Sequence, residues 1–165
     1  MNLNIKDQKN YDIANFFSYI ERFPIEIYTP VYAVQFNLPC NSCNKTEQVI
    51  TLVASGIEYE NFIIKDDLYI LQFVYDLPND IRHALYGYPT WKLNTKHNFY
   101  LNHCLNCKSV FFDFDVYNGL LKTDKKNLQI TQLKLPEKSY YAKTSYSIFP
   151  YSKYIFRVLN ENSQP

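Results

Sequence analysis

The residues with the clearest chemistry in this sequence are four cysteines in two Cys-x-x-Cys pairs. They are Cys40, Cys43, Cys104 and Cys107. A Cys-x-x-Cys turn places two sulfur atoms on one side of a tight loop, and two such turns that face each other supply four thiolates at tetrahedral corners. This arrangement is typical of a closed structural zinc site, because it leaves no open position on the metal for a substrate. The spacing therefore predicts one structural Zn2+ ion bound by all four cysteines.

Three other interpretations of the cysteines stay open: iron in a similar four-sulfur cage, a redox dithiol, and unliganded core cysteines. A thioredoxin-like dithiol needs its Cys-x-x-Cys at a strand-to-helix junction, whereas both pairs here are expected between strands. Residues 44–103 separate the pairs, far more than in the usual zinc ribbon, so residues 45–98 are interpreted as an insertion. His103 neighbours Cys104, and its side chain is expected on the opposite side of the strand, away from the metal.

No other residues form a recognised catalytic motif. His83 and His97 have no nucleophile or carboxylate placed near them by a known motif, and solvent exposure is expected for both. The carboxylate pairs Asp66-Asp67 and Asp113-x-Asp115 can bind a divalent cation or act as acid and base, but such pairs are commonplace at turns and on the wet face of a strand. The three glycines stand alone, which excludes the glycine-rich phosphate-binding motifs and the nucleophile elbow. The sequence therefore predicts a protein that is not an enzyme.

Length and composition favour one soluble domain over residues 1–165. The chain is 47% hydrophobic and 18% aromatic, and ring-rich sequences with few glycines favour strands. No stretch is long and apolar enough for a membrane span, and the N-terminus lacks the pattern of a secretory signal. We therefore expect a β-rich α+β domain in the cytoplasm, where paired cysteines are more often metal ligands than disulfides.

The first half of the chain predicts a helix followed by a hairpin. Apolar residues recur at helical spacing over 12–23, and this helix is expected to cover one face of a sheet. Residues 28–38 alternate with period two and lead into the first cysteine pair, and 47–54 form the returning strand. One or two further strands are expected within 57–75, with a break at Asp66-Asp67.

The second half predicts a short helix and a second cysteine hairpin. The helix starts at Pro78-Asn79 and ends at Gly87, which is expected to take a left-handed conformation. Residues 88–98, with the single tryptophan, are interpreted as a loop, and 98–103 as the strand entering the second pair. The leaving strand is predicted from alternation over 112–116. A turn at Asn118-Gly119 and a strand over 128–135 complete the prediction.

The C-terminal segment 121–165 is basic and rich in tyrosine, and is interpreted as an extension. It carries eight Lys and Arg against three Asp and Glu, whereas the whole chain has a net charge of +1. Basic residues interleaved with aromatic rings are one pattern of nucleic-acid binding, through phosphate contacts and base stacking. The alternative interpretation is a solvated face of a strand-and-loop segment.

The segment Phe99-Tyr-Leu-Asn-His-Cys-Leu-Asn-Cys-Lys-Ser-Val-Phe-Phe-Asp-Phe114 resembles the C-terminal signature of a group of bacterial zinc-ribbon-like proteins. That signature reads aromatic-Tyr-Met-Asn-His-Cys-x-x-Cys-Gly followed by an Asp-Phe or Asp-Trp pair. The resemblance extends loosely to an earlier Cys-x-x-Cys and covers residues 28–117, the zinc-ribbon-like core. It implies the zinc site and no particular activity. Asn44 and Lys108 stand where such turns often have glycine, which favours positive φ.

The residues marked by the resemblance lead to an assignment of faces around the second pair. A His103 ring that points away from Cys104 meets the leaving strand, where Asp113 is expected to accept its hydrogen bond. Phe114, on the other side of that strand, is then expected in the core, where loss of its ring costs about 3–5 kcal/mol.

These observations lead to three hypotheses about function. The first is a non-enzymatic, zinc-stabilised interaction protein whose partner is another protein. The second is a nucleic-acid-binding module that uses residues 121–165. The third is an enzyme that uses Asp113, Asp115 or His103 near the metal, which requires an open metal position or a nucleophile that the sequence does not show.

Overall fold

The structure is a computed structural model that describes residues 24–59, 62–64, 67–151, 153 and 157. The helix expected over 12–23 lies outside these residues. The strands are β1 (Ile25–Pro39), β2 (Thr46–Tyr59), β3 (Phe62–Ile64), β4 (Tyr69–Asp76), β5 (Trp91–Asn94), β6 (Phe99–His103), β7 (Val110–Phe111), β8 (Gln129–Gln132) and β9 (Ser139–Ile148). The helices are α1 (Asn79–Ala84), α2 (Asp113–Lys122) and a 3₁₀ turn at Lys125–Asn127. The predicted β-rich α+β class is confirmed for this part of the chain.

The larger sheet is antiparallel, and its pairings close into a ring. Strand β1 pairs with β2, β2 with β4, β4 with β9, and β9 with β1, while β3 and β8 extend the sheet at β2 and β1. A register shift between Tyr28 and Val31 divides β1. Its first part pairs with β9 and its second part with β8, so one strand serves two neighbours on the same side.

The β1–β2 hairpin is buried on both faces, which explains its nearly continuous apolar sequence. Val31 belongs to one core together with Ile81 of α1. Val34 belongs to a second core together with Leu120 of α2 and with Cys104. Apolar surface removed from water on both sides stabilises this hairpin and fixes its register, because a slip by one residue would exchange the two faces. The hairpin therefore holds its cysteine turn on a rigid support.

The smaller sheet consists of β5, β6 and β7 and carries the second cysteine turn between β6 and β7. Strand β5 lies in the segment that was expected to be a loop, and that expectation is wrong. Trp91 pairs with Asn102 of β6, and its indole is buried. Trp91 and Leu93 do alternate with Lys92 and Asn94, but this run of four residues is too short to distinguish a strand from a loop, and pairing with β6 decides its structure.

The strand predicted over 112–116 is wrong, because helix α2 begins at Asp113. The carboxylates in its first turn complement the positive end of the helix dipole. Val116 and Leu120 are buried one turn apart, whereas Phe114 is 73% exposed. The expectation of a core Phe114, and of the energy lost with its ring, is therefore also wrong.

The turn expected at Asn118-Gly119 is likewise wrong, because both residues lie inside α2. Gly119 packs closely against β1: a Cβ atom there would overlap the Cδ1 atom of Leu38, so a larger residue would require the Leu38 side chain to move. Helix α1 ends at Ala84, before the predicted end at Gly87, and Gly87 does not adopt the predicted left-handed conformation, since no glycine of the described residues has positive φ. In the C-terminal segment, β9 lies between β4 and β1 in the sheet. None of the described helices is long and apolar enough to cross a membrane.

Candidate metal centre

The first cysteine turn connects β1 to β2 and is closed by two backbone hydrogen bonds. The Cys40 N–H donates to Lys45 O at 2.8 Å, and the Asn44 N–H donates to Cys40 O at 2.8 Å. Asn44 has a φ of 59°. Asparagine tolerates this left-handed conformation better than most residues with a side chain, so the turn curls tightly around Cys40 and Cys43.

The second cysteine turn repeats this pattern between β6 and β7. The Cys104 N–H donates to Ser109 O at 2.8 Å, and the Lys108 N–H donates to Cys104 O at 3.0 Å. Lys108 has a φ of 66°, as the sequence predicted for this position. Its ammonium group donates to Leu105 O at 2.7 Å, which holds the side chain over the turn. Two sequence-distant turns thus have the same backbone design.

The two turns meet, and their four sulfur atoms converge. The Sγ atoms of Cys40 and Cys107 are 3.6 Å apart, and so are those of Cys43 and Cys104. All four sulfur atoms lie within 4.8 Å of one another. Corners of a tetrahedron with metal–sulfur bonds of about 2.3 Å are about 3.8 Å apart, whereas a disulfide bond is only about 2 Å long. The arrangement fits four ligands around one metal ion and not two disulfides.

The outer side of the cluster stabilises thiolates. The Ser109 hydroxyl lies 3.1 Å from Cys40 Sγ and 3.0 Å from Cys107 Sγ. This hydrogen bond lowers the pKa of Cys40 from 9.0 to about 6, with help from the backbone N–H groups of Ser42 and Cys43. The pKa of Cys107 is lowered for the same first reason, the Ser109 hydroxyl. Because the hydroxyl has a single proton, it donates to one of these two sulfur atoms at a time and favours one thiolate on this side of the cluster.

The inner side of the cluster is different, because the carboxylate of Glu47 contacts Cys104. Glu47 is buried, and its Oε1 atom accepts hydrogen bonds from Cys104 Sγ at 3.1 Å and from the Leu105 N–H at 2.9 Å. The Cys107 N–H lowers the pKa of Cys104, but burial and Glu47 outweigh it and raise the pKa to about 12. Metal ligands must lose their protons, so a cation bound here displaces the Cys104 proton.

A buried asparagine connects the two sheets next to the cluster. The side chain of Asn102 in β6 accepts a hydrogen bond from the Ile50 N–H at 2.9 Å and donates to Ile50 O at 2.8 Å. The Asn102 side-chain amide thus forms the two backbone hydrogen bonds that a neighbouring strand would otherwise form with Ile50 of β2. The Thr90 hydroxyl lies 3.0 Å from Gln48 O and 3.2 Å from Asn102 Oδ1. Together with the cysteines, these contacts fix the smaller sheet against the larger one.

His103 is buried and makes no contact with the sulfur atoms. Its Nδ1 atom lies 2.9 Å from Leu101 O, and its Nε2 atom lies 3.1 Å from the side-chain nitrogen of Asn94. Burial lowers the pKa of His103, so the ring is neutral, with Nδ1 as donor and Nε2 as acceptor. The prediction that His103 points away from the metal holds, but its expected hydrogen bond to Asp113 is wrong.

Asp113 instead forms a hydrogen bond with the backbone of Phe73, a residue of β4 that has a positive φ. Its Oδ2 atom accepts a hydrogen bond from the Phe73 N–H at 2.5 Å, and Phe73 has a φ of 51°. Burial raises the pKa of Asp113 from 3.8 to about 6, although the hydrogen bond lowers it. Because the folded chain holds this proton more tightly, the group's contribution to the free energy of unfolding is full below pH 3.8 and is lost as the pH rises through about 6. Asp113 is thus a structural residue.

The remaining candidates do not join the site. Asp66 lies outside the described residues, and Asp67 accepts a hydrogen bond from the Leu68 N–H at 2.8 Å. The rings of His83 and His97 contact the rings of Tyr86 and Phe112 at centroid distances of 5.3 Å. Among the described residues, the four cysteines are the only group of His, Cys, Asp or Glu that brings ligand atoms together.

Comparison with known proteins finds no matching family model, no matching curated protein and no matching solved structure. The four-cysteine cluster and the surfaces around it are therefore the features of this chain that bear on its function.

Proposed function

We propose that this chain is a non-enzymatic interaction protein that is stabilised by one zinc ion and binds another protein. The observation that carries the proposal is that four cysteines from hairpin tips of two different sheets converge within 4.8 Å. The two turns correspond to zinc knuckles. A metal bound there joins parts of the chain that are distant in sequence, so its binding free energy becomes folding free energy.

Zinc is the metal that best fits this role. Four thiolates complete a tetrahedral shell and leave no position for substrate or water, as in structural zinc sites. Iron in the same cage is the closest rival, because it takes the same ligands and geometry. The closed shell also argues against a metal-assisted reaction, which needs an open coordination position.

Two exposed aromatic rings next to the metal-bearing hairpin support a protein partner. Phe112 and Phe114 follow β7 directly and are 46% and 73% exposed. Phe112 rests against His97, whereas Phe114 projects from the first turn of α2. Exposed aromatic side chains on a rigid element are typical anchors of protein interfaces, because a partner gains apolar area with little loss of side-chain freedom.

The basic C-terminal segment supports a nucleic-acid partner less well. Tyr140 is buried and its hydroxyl donates to Asp80 at 3.2 Å, so it offers no stacking platform. The Lys125 and Lys143 ammonium groups lie over the rings of Tyr151 and Tyr75, at 5.3 and 5.9 Å from the ring centroids. These contacts serve the fold itself.

The protein-partner proposal predicts that cross-linking in the native host depends on position. A photoreactive phenylalanine analogue at Phe114 is expected to capture one protein, whereas the analogue at Tyr141, which is 67% exposed, is not. The captured protein, once purified, should bind the Phe114→Ser variant at least about tenfold more weakly than wild type, because a central aromatic anchor is lost. Tyr141→Ser is the matched control and should bind unchanged. Equal capture from both positions, or full affinity of Phe114→Ser, would contradict the proposal.

A further inference from the structure

A cavity of about 480 Å³ lies between helix α1 and strands β5 and β6. This volume is in the range that holds a small organic ligand. Its walls come from rigid elements, and none of its lining residues belongs to the cysteine cluster. The residues that matter for its chemistry are Arg82, His83, Tyr86, Trp91, Lys92 and Tyr100.

One wall of the cavity is aromatic. The rings of Trp91 and Tyr100 stack with a centroid distance of 6.1 Å and an interplanar angle of 18°. Tyr86, which is 79% exposed, and His83 form a second ring pair at 5.3 Å. The Trp91 indole N–H is buried and finds no acceptor among the described residues, although a buried indole N–H normally has one. The cavity thus offers flat apolar surfaces to a planar ring.

The charge of the cavity has one sign. Arg82 and Lys92 line it, together with His83, and no carboxylate does. Arg82 is held in place by Asn79, whose side-chain oxygen accepts its hydrogen bond. Asp80, the acidic residue of α1, does not line the cavity, and its carboxylate accepts a hydrogen bond from the Tyr140 hydroxyl at 3.2 Å. A concave site lined by cations without counter-charges attracts anions.

We propose that this cavity binds a small planar anion, that is, a flat unsaturated ring that carries a carboxylate or a phosphate group. The ring lies against the aromatic wall, and the anionic group contacts Arg82 and Lys92. Guanidinium groups bind either kind of oxyanion through paired hydrogen bonds. A free aromatic carboxylate and a nucleoside monophosphate share this chemistry, and the probes below distinguish them.

The test uses Trp91 as reporter, because the chain has a single tryptophan and hence a single indole N–H resonance. The full-length protein labelled with nitrogen-15 is titrated with 4-hydroxybenzoate, with adenosine monophosphate, and with their uncharged counterparts 4-hydroxybenzyl alcohol and adenosine. We expect a saturable shift of the indole resonance with at least one of the two anions and a much weaker response to its uncharged counterpart. The anion that gives the tighter dissociation constant identifies the preferred group.

Variants assign the contacts. Arg82→Ala and Lys92→Ala are each expected to weaken the anion about tenfold or more, as loss of a charged hydrogen bond does. Both side chains are exposed, so the rest of the spectrum should keep its dispersion. Lys138→Ala, which removes an exposed lysine outside the cavity, is the control and should bind as wild type. No saturable shift with either anion, equal binding of the uncharged compounds, or unchanged affinity of both variants would overturn the proposal, whatever metal the cysteines hold.

Discussion

Replacement of Cys104 by serine is expected to abolish metal binding and to unfold the chain. Cys104 is fully buried in the second core, and its sulfur lies 3.6 Å from that of Cys43 in the other sheet. Structural zinc contributes about 10–16 kcal/mol of binding free energy in small domains, whereas the whole free energy of unfolding of a domain is about 5–15 kcal/mol. Loss of one thiolate therefore removes an amount comparable to the total stability. Metal content and thermal unfolding measure both effects.

Ser42→Ala is the matched control for this experiment. Ser42 lies in the first cysteine turn with an exposed side chain, and its replacement leaves all four sulfur atoms in place. This variant should keep its metal and melt as wild type does. A soluble Cys104→Ser variant that melts cooperatively without metal would show that the cluster is peripheral to the fold.

Replacement of Asn102 by alanine is expected to lower the free energy of unfolding by about 2–5 kcal/mol. The change leaves the Ile50 N–H and C=O groups buried without their partners at 2.9 and 2.8 Å, and each orphaned group costs about 1–3 kcal/mol. It also removes the side chain that connects β6 to β2, so the smaller sheet should loosen first. Denaturant unfolding gives the free energy, and hydrogen exchange at Ile50 reports the local change.

Two comparisons sharpen this prediction. Asn102→Asp keeps an acceptor for the Ile50 N–H but cannot donate to Ile50 O, and it buries a charge, so it should be at least as destabilising as alanine. Asn106→Ala removes an exposed asparagine in the adjacent turn and should change stability little. If Asn102→Ala unfolds at the wild-type denaturant concentration, the asparagine does not hold the two sheets together.

The cysteine hairpins were predictable because their signals are local. Period-two alternation marks β1, a nearly continuous apolar run marks β2, and the residue after each cysteine pair occupies the left-handed position that closes the turn. The convergence of the four sulfur atoms was predictable because two Cys-x-x-Cys pairs are the usual ligands of one tetrahedral metal ion. Glu47 and Ser109 were missed, although both lie within five residues of a cysteine. Glu47 contacts a sulfur atom of the opposite turn, and Ser109 contacts sulfur atoms of both turns. These contacts depend on the packing of the two sheets, and no local sequence pattern encodes that packing.

Helix α2 was missed because its sequence satisfies two periods at once. Phe112, Phe114 and Val116 alternate as a strand does, whereas Val116 and Leu120 are spaced as on one face of a helix. Tertiary contacts select the helix, because Leu120 is buried in the second core and Gly119 packs closely against the Leu38 side chain. Glycine was instead interpreted as a turn signal, because a close approach between elements is invisible in a single sequence.

The place of β9 in the sheet, between β4 and β1, could not be predicted from local sequence patterns either. Tyr140, Ala142 and Thr144 are buried on alternate residues, so the strand itself carries a period-two signal. Its place between β4 and β1 depends on pairing with strands about 70 and 110 residues earlier. The basic charge of the segment favoured the prediction of a surface extension, whereas its buried residues belong to a strand inside the sheet.

The metal content of the purified wild-type chain, measured by native mass spectrometry and elemental analysis, tests the proposed zinc centre directly. We expect close to one zinc ion per chain, and we expect Cys107, the exposed cysteine of the cluster, to react with a thiol reagent only after a chelator is added. A chain that folds without metal and with reactive thiols, or one that carries iron with its red absorbance, would contradict the proposed zinc centre.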